Sequence, residues 1–299
     1  MIVKRVRYFS EMIKWEHTIF ALPFAYMGAF MASGGFPSGH QLLWITLAMV
    51  GARTAAMALN RLIDRHIDAR NPRTAERHIP KGILSVHEVW LYVAVSWALL
   101  LVSAWQLNPN HLAVPLTVKL MPIAVFVLTL YSYTKRFTWA CHLVLGLSLG
   151  LAPVGSWVAV TGRIDFPSIL IGAAVLTWVA GFDVIYACQD FEFDRKEGLK
   201  SVPSVFGIRK ALFFSSLLHV LAILFLGWFG VEEGLGYIYW MGVIIAAAIL
   251  VYEHSLVSAT DLSKLDAAFF NMNGILSVLV FAFAFLDILS WSQIYHWMR

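Results

Sequence analysis

Two short stretches of this chain concentrate oxygen ligands at a regular interval. Asn60, Asp64 and Asp68 recur every fourth residue, and so do Tyr186, Asp190 and Asp194, with Asp183 three residues before Tyr186. Side chains four apart share one face of a helix, with their Cβ atoms about 5–6 Å apart. Two carboxylates at that spacing repel, so each pair needs a cation beside it. A cluster of carboxylates suits Mg²⁺, a hard ion that takes oxygen ligands, keeps several waters and bridges one or two carboxylates to phosphates. Arg73 and Arg77 follow the first stretch, Lys196 and Lys200 the second. These are anion partners, arginine adding a bidentate fork that matches phosphate. Asp64, Asp68, Asp190 and Asp194 are therefore expected as metal ligands, Asn60 as a further oxygen ligand, and Arg73, Arg77 and Lys200 as partners of a diphosphate. Solvated charge clusters would account for the basic residues but not for two Asp-x-x-x-Asp pairs.

Other polar residues sit where they are costly. Asp183 lies within an apolar run, where a carboxylate is expensive; it is a functional candidate, or else half of a buried pair with a nearby cation. Arg53 lies seven residues before Asn60, on the same helix face, and is a functional candidate within a span, or else pairs with Asp183 or Glu16. Lys14 stands just before the first apolar run. Tyr186 and Tyr131 offer ring faces to a cation, or else pack the bundle. Lys119 is sixteen residues before Lys135, about 24 Å along a helix, too far to share its site. Cys141 and Cys188 follow no disulfide or zinc spacing and are expected as small core residues. Most of the 12 Trp residues, Trp157 and Trp228 among them, are expected as anchors at membrane interfaces.

The elements that hold these residues must be membrane helices. Of the 299 residues, 60% are hydrophobic and only 13% charged. A soluble chain of this size is closer to 45–50% apolar and about 25% charged. Disordered, collagenous and disulfide-stapled classes are excluded on the same grounds, and nothing points to a nucleic-acid partner. The apolar runs are continuous, unlike the alternating strands of a barrel. Nine spans are expected, near residues 17–35, 41–60, 86–107, 113–133, 138–160, 168–188, 210–230, 236–254 and 268–290. The reading is an all-α, polytopic bundle whose site cavity faces the cytoplasm. The basic first ten residues read as a retained cytoplasmic tail rather than a cleaved signal. Eighteen of the 22 Lys and Arg residues fall on one side of such a bundle and two on the other. By the positive-inside rule the N-terminus is cytoplasmic and, with nine spans, the C-terminus is outside. The two ligand stretches follow spans 2 and 6, which suggests a pseudo-repeat, residues 10–136 and 137–265, within one domain covering 1–299.

Asn60-x-x-x-Asp64-x-x-x-Asp68 with Arg73-Thr74-x-x-Arg77 resembles the first aspartate-rich motif of the UbiA family of intramembrane aromatic prenyltransferases. Asp183-x-x-Tyr186-Ala187-x-x-Asp190-x-x-x-Asp194, with Lys200-Ser201 after it, resembles the second. Tyr131-x-x-x-Lys135-Arg136-x-Thr138 is similar to the family's connection between spans 4 and 5, and adds Lys135 to the expected substrate contacts. Arg61 stands where many members have aspartate, and Phe191-Glu192-Phe193 where many have an acidic run. These departures resemble a bacterial branch labelled 4-hydroxybenzoate polyprenyltransferase-like, with members tied to ubiquinone or menaquinone synthesis. The resemblance implies a bacterial inner-membrane enzyme. It implies Mg²⁺-dependent transfer of a polyprenyl group from polyprenyl diphosphate to a small aromatic acceptor such as 4-hydroxybenzoate, with release of diphosphate. For such a reaction it implies that Asp183 orients the acceptor or takes its phenolic proton, that Arg53 binds the acceptor carboxylate and Lys14 meets the same acceptor, and that Tyr186 and Tyr131 face an allylic carbocation. A CDP-alcohol phosphotransferase would carry a single motif with an Asp-Gly and Ala-Arg core, which this chain lacks. A transporter for anionic lipids would hold its charge near the membrane midplane rather than at one face.

Overall fold

The computed structural model describes residues 2–14, 22–265 and 272–297. The described residues are helical and include no strand. An N-terminal helix, α1 (Ile2–Ile13), precedes α2 (Leu22–Ser33), α3 (Gly39–Arg70), α4 (Val86–Gln106), α5 (Leu116–Thr134), α6 (Cys141–Thr161) and α7 (Phe166–Ala187). A 3₁₀ turn (Cys188–Asp190) then leads into α8 (Phe191–Glu197), α9 (Val202–Phe206), α10 (Ile208–Glu232), α11 (Tyr237–Ser255) and α12 (Asn273–Trp297).

Eight helices among the described residues are long and apolar enough to cross a bilayer. The expectation was nine. The expected span 17–35 is represented by α2, whose 12 described residues fall short of a crossing, and residues 15–21 lie outside the described set. The N-terminal stretch is not a loose tail. It forms α1, and Phe9, Met12 and Ile13 pack on Leu59 and Leu62 of α3 and Val89 of α4.

Helix α3 runs for 32 residues from a capping box in which Ser38 and Gln41 satisfy each other's backbone N–H groups. At 1.5 Å per residue it is about 48 Å long, well beyond a bilayer core of about 30 Å. Its last turns, with Asp64 and Asp68, therefore stand at one end of the bundle. The stretch Phe166–Glu197, also 32 residues, does the same for Asp190 and Asp194.

Helix α7 is the central element. In its most apolar window 78% of residues are buried, against 17–39% for the other spans. Trp178, Val179 and Phe182 pack with Phe24 and Met27 of α2 and Phe229 of α10 in the main core. It packs closely on α6, where Gly146 and Gly150 let the backbones touch. A Cβ on Gly146 would lie 2.2 Å from the Leu176 carbonyl oxygen, and one on Gly150 2.6 Å from that of Gly172. Small residues four apart are the usual means of close approach where both helices are equally apolar to lipid. The antiparallel pair brings His142, at the start of α6, beside Asp183, near the end of α7. Large side chains such as Leu91, Phe126 and Ile244 point outward, as lipid contacts require.

Candidate active site

The ends of α3, α5 and α7–α8 and the segment between α3 and α4 converge at the motif-bearing end of the bundle. Asp64, 2% exposed, accepts from Lys135 Nζ at 2.5 Å, Arg136 Nη2 at 2.9 Å and Asn60 Nδ2 at 3.2 Å. Lys135 and Arg136 follow directly on α5, so the connection after Tyr131 delivers two cations to one carboxylate. Asp68 is also buried and takes a bidentate contact from Arg77 Nη1, at 2.8 and 2.7 Å.

The second motif mirrors this arrangement. Asp190 accepts from Arg73 Nε at 3.0 Å and Nη2 at 2.5 Å, and from Asn71 Nδ2 at 3.0 Å. Arg73 also donates to the Tyr186 hydroxyl at 3.1 Å, its guanidinium 5.3 Å from the ring centroid. Burial works against the Arg73 charge, but the bonds and charge of Asp190 outweigh it, and the net direction is up. Asp194 accepts from Ser201 Oγ at 3.0 Å. The cations of the first motif's tail thus hold carboxylates of both motifs. Arg70 at the end of α3 closes the seam on Glu197 at the end of α8, at 2.8 Å.

Asp190 and Asp194 do not sit on one regular helix turn. The 3₁₀ turn at Cys188–Asp190 tightens the chain, and Asp190 becomes the residue preceding α8. Lys and Arg side chains stand against Asp64, Asp68 and Asp190, while Asp194 is held by a serine hydroxyl. Among the described residues, no three His, Cys, Asp or Glu side chains meet as a ligand cluster. The donor set itself is all oxygen, the chemistry that suits Mg²⁺.

Asp183 is held by a residue the sequence reading passed over. His142 Nδ1 lies 2.7 Å from Asp183 Oδ2, and His142 Nε2 accepts the Val202 backbone N–H at 3.2 Å. With Nε2 an acceptor, the proton is on Nδ1 and is donated to Asp183. A histidine and an aspartate within apolar spans were a legible signal, since such groups pair. Tyr131 lies within electrostatic reach of both Asp183 and Asp64.

Other expected residues fall elsewhere. Arg53 donates to the Lys14 carbonyl oxygen at 3.4 Å, which brings those two together, while Glu16 lies outside the described residues. Lys200 is exposed at its side chain and tied by its backbone, N–H to the Lys135 carbonyl at 2.7 Å. Lys119 is exposed at the opposite end of α5. Cys141 and Cys188 are free and buried, as expected. Trp157 is not an interface anchor: it is 5% exposed and donates its indole N–H to Asp165 at 2.9 Å.

Residues 21–275 match the model of the UbiA prenyltransferase family. A 4-hydroxybenzoate octaprenyltransferase of Edwardsiella ictaluri is 31% identical over 83% of this chain and 84% of its own length. The apo structure of a UbiA homolog from Aeropyrum pernix K1 is 33% identical, covers 91% of this chain and 98% of its own, and superposes with a TM-score of 0.81. A UbiA homolog from Archaeoglobus fulgidus bound to GPP and Mg²⁺ shares the fold, at 21% identity, 94% and 99% coverage and a TM-score of 0.74. Likeness of that extent, on a bundle whose two aspartate motifs are tied together by Arg73 at one end, makes this integral membrane protein a prenyltransferase of the UbiA family.

Proposed function

We propose that the chain transfers a polyprenyl group from polyprenyl diphosphate to a small aromatic acceptor, 4-hydroxybenzoate or a related quinone precursor, and releases diphosphate. The observation that carries this reading is the pairing of Asp64, Asp68 and Asp190 with Lys135, Arg136, Arg77 and Arg73 at one end of the bundle. Such a set offers oxygen ligands to a cation and freed guanidinium groups to a diphosphate. The names of the curated relatives supply the acceptor class, and the ligands of the Archaeoglobus structure the donor class.

Asp64, Asp68, Asp190 and Asp194, with Asn60, would hold Mg²⁺. The ion would supply neutralisation of charge on the departing diphosphate. Arg73, Arg77, Lys135 and Lys200 would grip the diphosphate oxygens, stabilising charge as the allylic C–O bond breaks. Tyr186 and Tyr131 would face the allylic cation. Ring attack forms the new C–C bond, and the ring carbon then loses its proton. Asp183, oriented by His142, would hold the acceptor hydroxyl or take its proton, and Arg53 and Lys14 would lie at the acceptor's far end. The membrane-buried walls exclude the water that would quench the cation.

The same proposal puts the protein in a bacterial inner membrane with the motif-bearing end in the cytoplasm. It treats residues 1–299 as one domain with pseudo-repeats 10–136 and 137–265; the equal lengths of α3 and of Phe166–Glu197 support this. Purified protein incubated with a polyprenyl diphosphate and a panel of aromatic acids should give a prenylated product by mass and release diphosphate. EDTA should abolish turnover and Mg²⁺ restore it. Full turnover in excess EDTA refutes the metal, and absence of any prenylated product from every acceptor refutes the reaction.

A further inference from the structure

The cations that bond Asp64, Asp68 and Asp190 lie within 2.5–2.9 Å of a carboxylate oxygen. Arg61 does not. Its side chain is more deeply buried than theirs, with the residue 8% exposed, yet among the described residues its guanidinium makes only two long contacts, both to neutral oxygens. These are Nε to the Met12 carbonyl at 3.5 Å and Nη1 to Asn60 Oδ1 at 3.4 Å. Among the described residues no carboxylate lies within 4.0 Å of it. Asp68 and Asp64 act on it only from farther away, and Arg77 opposes them. A guanidinium has five N–H donors in a fixed fork. Burying it without a contact anion is costly, and a buried charge left unmatched destabilises the fold. Groups that break this rule are characteristic of binding sites, where the ligand completes them.

We propose that Arg61 is an oxyanion receptor of the active site, taking a substrate carboxylate or phosphate in a bidentate grip. The assignment rests on the prenyl-transfer reading for the identity of the two candidate anions: the carboxylate of an aromatic acid acceptor and the diphosphate of the donor. Arg61 sits on α3 directly after Asn60 and within electrostatic reach of Asp64, Asp68 and Tyr131. An anion held there would lie beside the ligand stripe. It would also lie beneath the C-terminal end of α1, so that occupancy and the seating of α1 are linked through one guanidinium.

The test uses the full chain in detergent, with Arg61→Met and Arg61→Lys. Three quantities are read: the melting temperature without ligand, its shift on adding inorganic diphosphate with Mg²⁺ or 4-hydroxybenzoate, and the KM of each substrate. Met matches the length of the stem and removes the unmatched charge, so the ligand-free melting temperature should hold or rise. The shift produced by one of the two anions should disappear, and the KM of the substrate carrying it should rise tenfold or more. Arg61→Lys keeps the charge but loses the fork, and should fall between the two. If the acceptor KM moves, wild type should also prefer the aromatic acid over its uncharged methyl ester, a preference the Met variant loses. If the donor KM moves, the diphosphate is the anion. A fall of several degrees in Arg61→Met with both KM values unchanged would make Arg61 an anchor for α1 and overturn the proposal. So would unchanged values throughout. A wild type stabilised by either anion through Arg61 but forming no prenylated product would keep this assignment and reject the reaction.

Discussion

Asp190 accepts both nitrogens of the Arg73 fork and an amide from Asn71, so three donors depend on one carboxylate. Asp190→Asn keeps the volume and most hydrogen bonds but removes a negative charge from the proposed metal and diphosphate site. Loss of a ligand charge there is an effect of several kcal/mol on the barrier. At about 1.4 kcal/mol per tenfold, prenyl transfer should slow by two decades or more. Asp64→Asn should behave alike, while Lys119→Met, at the far end of α5, should do little. Extraction yield, melting temperature and transfer rate distinguish these outcomes, and near-normal turnover of Asp190→Asn would remove Asp190 from the site. His142→Ala tests a different role. It leaves the half-buried Asp183 carboxylate and the buried Val202 N–H without His142, the loss of the buried N–H bond alone costing about 1–3 kcal/mol. His142→Asn restores a donor to Asp183 and should recover part of the lost melting temperature and activity. The carboxylates were legible in the sequence because their spacing is local. Their partners were not: Lys135 lies 71 residues from Asp64 and Arg73 117 from Asp190. No spacing rule pairs residues at such separations.

The helices could be read from continuous apolar runs, but their ends and breaks could not. The second motif looks like a continuation of α7, yet the chain tightens into a 3₁₀ turn at Cys188–Asp190 with neither glycine nor proline to announce it. Likewise α1 was hidden by its basic residues, although one face carries Phe9, Met12 and Ile13 into a core with α3 and α4. Glycines within α6 separate close packing from open surface. Gly146 touches the α7 backbone, whereas Gly155 on the same helix has nothing within 4 Å of an added Cβ. Gly146→Ala should push α6 from α7 and misplace His142 against Asp183, costing about 1–3 kcal/mol as overpacking does. Gly155→Ala should be neutral or stabilise by up to about 1 kcal/mol, the ordinary gain in helix propensity. Melting temperatures and yields in detergent compare the two, and equal losses would show that the α6–α7 approach does not govern stability.

At the scale of the whole molecule, the fold class was legible because composition excludes a soluble core, while the number of crossings depends on one short helix. Eight described helices suffice to cross, and α2 with residues 15–21 decides whether there is a ninth. Parity turns this into a measurement. Nine crossings put the termini on opposite sides of the membrane; eight put them on the same side. Single cysteines at Lys4, Gly82, Asn110, Arg163, Arg195, Glu232 and Met298 can be labelled with a membrane-impermeant thiol reagent in intact spheroplasts and in inverted vesicles. The native Cys141 and Cys188 are buried and free, so their background should be low. The sidedness of the basic residues predicts labelling of Asn110, Arg163 and Glu232 from outside, and of Lys4, Gly82 and Arg195 only in inverted vesicles. Met298 should label from outside in either case, because eight crossings separate it from the outer loop that follows α2. Lys4 decides the count: it labels only in inverted vesicles if α2 completes a ninth crossing, and from outside if α2 enters and returns without crossing. Labelling of Gly82 and Arg195 on different sides would be more serious, because the segment after α3 and the segment around α8 must share one aqueous face for Arg73 to reach Asp190 and Arg70 to reach Glu197.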